Sequence, residues 1–375
     1  MRAPDILIIG GGIVGMVAAV ELAEAGMQVT LVDAGINAGS TANAGSLHVQ
    51  MQSRFMRLYP AQVANVEASL PFYRAAADEW TRLDRRLGPF ELIRKGGLML
   101  AEGADQLAFL EAKARREERK GLSVDILDRA SLDRIAPWLG PQIVGAELCR
   151  EEGKLNPLTA NTKLRVHLQA LGVTLVRDQI VHLADNGQRI VAAGRLGAYQ
   201  ADQCIVAAAW GAKKLVEPFD MPLPTEAEPL HMNITEPGCA SIQHLVQHAE
   251  RSITLKQFST GQIVIGGGWP AIAQGMLQVP KVEAGSLLGN VALAARLVPS
   301  IGGLRILRSW AGINTTIDGT SAIGRLPKAA RILLALPGDA GYTLGPLVAK
   351  MAAALAQGRE PPYDPQPFNP ARFAV

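Results

Sequence analysis

The first forty residues constrain the fold of this chain more tightly than any other segment. Ile6-Leu7-Ile8-Ile9 runs into Gly10-Gly11-Gly12-Ile13-Val14-Gly15, an amphipathic stretch follows, and Val29-Thr30-Leu31-Val32-Asp33 closes the unit. This reads as strand, G-x-G-x-x-G turn, helix, second strand and an acidic tip. Gly10 permits the tight turn, Gly12 lets the backbone approach a pyrophosphate, and Gly15 lets the helix pack on the strand. The N-terminus of the helix would then face phosphate with its partial positive charge. Asp33 follows Gly15 by 18 residues, where a carboxylate can accept hydrogen bonds from a ribose 2′-hydroxyl. The glycine motif alone is weak. The complete unit predicts a dinucleotide-binding fold.

At 375 residues the chain exceeds what one growing core accommodates, so two domains are expected. Hydrophobic content of 48% and charged content of 19% describe a compact globular protein. A net charge of +3, with acidic and basic residues mixed, gives no nucleic-acid footprint. The dense run Arg115-Arg116-Glu117-Glu118-Arg119-Lys120 falls on an expected helix and reads as a solvated face. Cys149, Cys204 and Cys239 lack C-x-x-C spacing, which argues against a disulfide scaffold or a metal site and fits a reducing compartment. The apolar start is framed by Asp5 and Glu21, unlike a signal peptide. No run approaches the ~20 apolar residues of a membrane span, so a cytoplasmic location is expected.

Along the chain, Gly39 to Ser46 reads as a small polar loop. Helices are expected over about 60–87, 104–120, 158–170, 284–297 and 346–357, with strands at 96–100, 173–176, 203–209, 253–255, 262–266 and 332–336; the segment 124–128 leads to a short helix ending near Pro137. The simplest assembly is an α/β fold with a discontinuous Rossmann-like domain (1–84, 146–216 and 318–375). Into it is inserted an α+β substrate domain on a mixed, largely antiparallel sheet (85–145 and 217–317).

The chain resembles the flavin amine oxidoreductases related to D-amino-acid oxidase, glycine oxidase and sarcosine oxidase over nearly its whole length. Four stations carry the likeness. They are the N-terminal glycine unit, the loop Gly39-Ser40-Thr41-Ala42-Asn43-Ala44-Gly45, the strand ending Ala207-Ala208-Ala209-Trp210, and two C-terminal motifs. The latter are Trp310-Ala311-Gly312-Ile313-Asn314 and Leu336-Pro337-Gly338-Asp339-Ala340-Gly341-Tyr342-Thr343-Leu344-Gly345-Pro346. The resemblance implies non-covalent FAD, held by Gly10, Gly12, Ile13, Val14, Gly15, Asp33, Ala34, Ser40, Thr41, Asn43, Ala44, Gly45, Ser46, Val181, Ala208, Trp210, Gly312, Gly338, Gly341, Tyr342 and Thr343. It further implies transfer of a hydride from an amine-bearing carbon to flavin N5, leaving an imine that hydrolyses. The cofactor would carry the difficult step, so no obligatory acid-base pair is expected.

The pattern departs from these relatives at Asn314, where glycine and D-amino-acid oxidases carry an arginine that grips the substrate carboxylate. The segment from Gly45 to Gln52 looks closest to β-subunits of heteromeric dehydrogenases acting on opines or on D-hydroxyproline and proline. The expected function is therefore oxidation of a secondary-amine amino acid or opine, with electrons passed to partner subunits. A stand-alone oxidase using oxygen and a non-catalytic FAD subunit are the alternatives. His48, His231, Tyr342 and Asn314 are the candidate catalytic residues, and Arg54 or Arg57 could replace the missing anchor. Asp339 reads equally as a turn residue, Lys256 could face either way, and Trp269 and Trp310 read first as core.

Overall fold

Two sheets organise the molecule, and a cleft between them receives the glycine turns. The computed structural model describes residues 4–275 and 278–374. The strands of the first sheet are β1 Ile6–Ile9, β2 Val29–Asp33, β8 Thr174–Arg177, β12 Gln203–Val206, β20 Ala322–Leu326 and β21 Ala329–Leu336. Across the sheet they stand in the order β20-β21-β12-β1-β2-β8. All pairs are parallel except β20 with β21. The buried, non-alternating sequence of β1 follows from coverage of both faces of a parallel sheet.

Four of the described helices form the layer on one face. Helix α1 (Ile13–Glu24) is buried nearly all round, not amphipathic as its sequence suggested. It lies against α6 (Pro157–Ala170), which Asn156 caps, and α9 (Gly341–Ala356). Helix α9 begins five residues earlier than expected, because Pro346 is accommodated inside it. Helix α3 (Val63–Leu87) runs across the same layer, and its Trp80 is fully buried. On the other face sits an antiparallel meander of β9 Ile180–Asp185, β10 Ile190–Gly194 and β11 Ala198–Ala201, followed by the short helix α7 (Ala212–Val216). Strand β12 stops at Val206, short of the expected end, since Ala209 turns left-handed at φ 50°.

The second sheet has eight strands. They are β4 Gly97–Ala101, β5 Val124–Asp128, β6 Gly145–Cys149, β13 Glu226–Pro237, β14 Leu245–His248, β15 Thr254–Gln257, β16 Gln262–Gly266 and β19 Ile306–Thr316. Their order is β19-β13-β16-β15-β14-β4-β6-β5, and only β14 with β4 is parallel. Helices α4 (Ala104–Arg119), α5 (Arg129–Ile135) and α8 (Ala284–Leu297) cover it. A small ribbon joins β17 Ala271–Ile272 to β18 Lys281–Val282. The architecture is α/β, with a Rossmann-like sheet and a mixed, largely antiparallel one.

Two short elements join the halves. Strand β3 (Ser46–Leu47) pairs antiparallel with β7 (Gly153–Lys154), setting Leu47 opposite Gly153. Helix α2 (Ser53–Leu58) follows at once and reaches under the eight-stranded sheet. Among the described residues no helix is long and apolar enough to cross a membrane.

Candidate active site

Around β1 the strand order reverses, with β2 on one side and β12 on the other. Doubly wound sheets take ligands at this point, beyond the carboxyl ends of their strands. A cavity of about 720 Å³ opens there and continues beneath the second sheet. Gly10, Gly12, Ile13, Val14, Asp33 and Ala34 form its first wall. Gly10 needs its freedom: φ is 109°, and a Cβ would sit 2.3 Å from the Ala207 carbonyl oxygen. A Cβ on Gly12 would meet only Ser40, with Oγ at 3.0 Å. Gly15 does not line the cavity; it lets α1 close onto the carbonyl of Gly10.

The carboxylate of Asp33 accepts hydrogen bonds from the amides of Gly11 (2.6 Å) and Gly35 (2.7 Å), which fixes it at the cavity edge. Ser40 Oγ accepts from the Ile13 amide (2.9 Å), and Asn161 donates to the Ser40 carbonyl. The polar loop is thereby tied to the start of α1. Ser40, Thr41, Asn43, Ala44 and Ser46 line the cavity. Gly45 does not; its amide donates to Asn43 Oδ1 and its missing side chain makes room for the Leu155 carbonyl. Val181, Ala208, Trp210, Gly312 and Gly338 complete the walls, with Gly341 and Thr343 at the start of α9. Helices α1 and α9 both present N-termini free of acidic residues, where an anionic ligand is favoured.

Of the candidate catalytic residues, His231 faces away from the cavity, and Tyr342 lines it with its hydroxyl already engaged. On β13, Leu230 and Met232 face the cavity, so alternation turns His231 to the opposite side. It is fully buried beside Asn233, which bonds Asn290 of α8, and burial lowers its pKa. Tyr342 touches the cavity, but its ring stacks on Trp80 at 5.1 Å and its hydroxyl donates to Asn161. Its phenol is a packing group, pushed far up in pKa by burial. Trp310 is half-buried and outside the lining, with Nε1 donating to the Ala42 carbonyl. Trp269 donates to the Ser252 carbonyl.

The end of the cavity beneath the second sheet gathers charge from distant segments. Arg54 of α2 pairs with Glu228 of β13. Asn314 donates to Glu228 (3.2 Å) and to Asp339 (2.5 Å). Burial raises the pKa of Asp339. Arg54 lies along Gly268, where a Cβ would fall 2.1 Å from its Nε. Arg57, the other candidate anchor, turns away to the Ala249 carbonyl. His48 lines the same end, its amide donating to Thr343 Oγ1. His248 also lines it, but its Nδ1 accepts from the amides of Glu250 and Arg251, and burial pushes its pKa down to about 4. Sequence reading missed Glu228 as the partner of Arg54. Nothing local singles it out from Glu226 and Glu236 of the same strand.

Lys256 faces inward. It is completely buried, and Nζ donates to Ser46 Oγ at 2.7 Å. Burial, with Lys154 nearby, pushes its pKa down to about 7 from 10.5. Between those values the unfolded chain holds more protons than the native one, so stability rises with pH through this window. The thermal midpoint is expected to climb between pH 7 and 9. Lys256→Met should flatten that climb, which melting curves at four pH values will show; an unchanged slope would assign it to another group.

The family model described as DAO, FAD dependent oxidoreductase, matches residues 5–355. The chain belongs to this family. It is 27% identical to a glycine oxidase from Pseudomonas aeruginosa over 372 residues, covering 98% of each chain. It is 23% identical to the B subunit of opine oxidase from Rhizobium meliloti, covering 85% of this chain and 84% of that one. The crystal structure of glycine oxidase from Geobacillus kaustophilus superposes with a TM-score of 0.84 at 22% identity, covering 100% of both chains. The protein is an FAD-dependent amine or amino-acid oxidoreductase. The cavity fits that cofactor: a glycine cradle at one end, two helix N-termini along it, and room beyond for a small substrate. None of the three cysteines lines it.

Proposed function

We propose that this protein oxidises a secondary-amine amino acid, of the opine or proline class, at the carbon bearing nitrogen. The observation that carries the reading is Arg54, a guanidinium delivered into the cavity from α2 beside Asn314. Asn314 cannot supply charge, and Arg54 can hold a carboxylate by a planar, bidentate fork. Asp33 and Ala34 would hold the adenosine ribose of FAD, and Gly12 to Val14 with Ser40 its pyrophosphate. Ser46, Gly338, Gly341 and Thr343 would hold the ring end. When bound, FAD supplies the two-electron acceptor for the substrate hydride. The chain's own residues then orient the substrate: Arg54, held by Glu228, on the carboxylate, and Asp339 on the amine side.

We further propose that the chain works as the flavin subunit of a heteromeric dehydrogenase. The likeness to an opine oxidase B subunit supports this, as does the sequence from Gly45 to Gln52. A self-contained oxidase is the second reading, favoured by the higher identity to glycine oxidase over nearly the whole chain. One experiment separates them. Flavin absorbance is followed without oxygen on adding octopine, nopaline, hydroxyproline, proline, sarcosine and glycine. Bleaching by an opine or proline derivative with slow reoxidation in air is expected. Fast reoxidation with peroxide would establish the oxidase, and no bleaching by any amine would sink both.

A further inference from the structure

The buried polar groups behind His48 form a line that the cofactor-centred reading leaves unused. Pairing of β3 with β7 carries His48 alongside Glu152, whose side chain is fully buried. Glu152 accepts hydrogen bonds from the amides of Val49 (2.9 Å) and Gln50 (3.2 Å), from Gln50 Nε2 (2.8 Å) and from Gln247 Nε2 (2.6 Å). All four partners are donors, the set that suits an acceptor-only carboxylate. Gly97 makes room for it, since a Cβ there would fall 1.8 Å from Glu152 Oε2. His48 Nδ1 lies 3.9 Å from Glu152 Oε1, enclosed and without a hydrogen-bond partner among the described residues. The ring's enclosed edge thus carries Nδ1, which leaves Nε2 for the cavity that His48 lines.

We propose that His48 is the base that takes a proton from the substrate ammonium, and that Glu152 is the positioning residue behind it. This rests on the amine-oxidation reading given above. An ammonium nitrogen has no lone pair to drive departure of hydride from the neighbouring carbon. In the proposed step its N–H bond breaks, the electron pair stays on nitrogen, and the proton passes to His48 Nε2. The imidazolium so formed is held by Glu152 through Nδ1–H, after a small ring rotation that shortens the 3.9 Å separation. Such a pair fixes both the tautomer and the charge of the ring.

Other charged groups around His48 leave this arrangement intact. Arg54 pairs with Glu228 and, in the reading above, with the substrate carboxylate, and His248 is held neutral by burial. Asp339 faces His48 from the loop before α9 but is engaged by Asn314. Lys154, on β7 just beyond Glu152, turns to the Ile242 carbonyl. Lys113 reaches the network only through Gln50 Oε1 and is itself paired with Glu117 and Glu147.

The test uses the FAD-loaded protein and two variants, His48→Asn and Glu152→Gln. Anaerobic flavin reduction is followed across pH with whichever amine bleaches the native protein. His48→Asn is expected to slow reduction about 100-fold at neutral pH. Its rate should recover in alkali, where the substrate amine is already neutral. In Glu152→Gln the same pattern is expected in weaker form, a loss of about tenfold at neutral pH that also recovers in alkali. An equal loss at every pH in either variant would overturn the proposal. Should Glu152→Gln fail to fold, the His48→Asn profile decides alone, since that side chain makes no bond to the buried network. Failure of every amine to bleach the native protein would instead remove the amine-oxidation reading, and the base role with it.

Discussion

A single methyl group at Gly15 is expected to remove a large part of the protein's stability. A Cβ there would lie 1.8 Å from the carbonyl oxygen of Gly10 and 3.0 Å from its carbon, with Ile8 Cγ2 at 3.3 Å. Both sides of that contact are main chain, at the start of α1 and the end of β1, so no side chain can swing aside. Overpacking of an ordinary core costs about 1–3 kcal/mol. Gly15→Ala should meet or exceed the top of that range, against a total of about 5–15 kcal/mol for a native domain. Gly12→Ala provides the contrast. Its Cβ meets only the serine side chain of Ser40 and otherwise projects where the pyrophosphate would lie. Melting of the apoprotein should be nearly native in Gly12→Ala while its FAD affinity falls at least about tenfold, a loss of about 1.4 kcal/mol. Calorimetry of both apoproteins, with flavin titrations, separates fold from cofactor. A native melting point in Gly15→Ala would refute the close-packing account.

Arg54→Met is expected to cut kcat/KM for a carboxylated amine by about 100-fold or more. Truncating one member of a buried, hydrogen-bonded charge pair costs about 2–5 kcal/mol. Here the lost partner is the substrate carboxylate, with Glu228 also left unpaired. The double variant Arg54→Met/Glu228→Gln removes the second effect, so its residual loss reports on the carboxylate. A substrate analogue lacking the carboxylate should be oxidised equally by the double variant and the native protein. Equal losses for both compounds would make Arg54 a structural partner of Glu228 and not an anchor.

Much of the cofactor half was legible because its constraints are local. Gly10, Gly12 and Asp33 lie within one strand-turn-helix-strand unit, and backbone geometry alone demands those glycines. The reading of His231 failed for a different reason. Leu230 and Met232 alternate with His231 and Asn233 along β13, so a period of two was visible. Which parity faces the cavity depends on the α8 side of the sheet, where Asn290 receives the polar pair's hydrogen bond. Tyr342 stands on the cavity lining where its motif put it, but that its ring stacks on Trp80, from α3, was not legible locally.

By itself, then, the sequence determined the dinucleotide turn, the α/β architecture and the family, because each is written in contiguous residues with short-range steric demands. The substrate end was decided only by tertiary structure. Arg54, Glu228, Asn314 and Asp339 come from four separated segments, and none has a local reason to be there. Glu152 stands beside His48 only because Leu47 pairs with Gly153. A one-residue slip in that pairing would turn both side chains to opposite faces. Register between distant strands is set by the packing of whole sheets, and no local pattern in either strand encodes it.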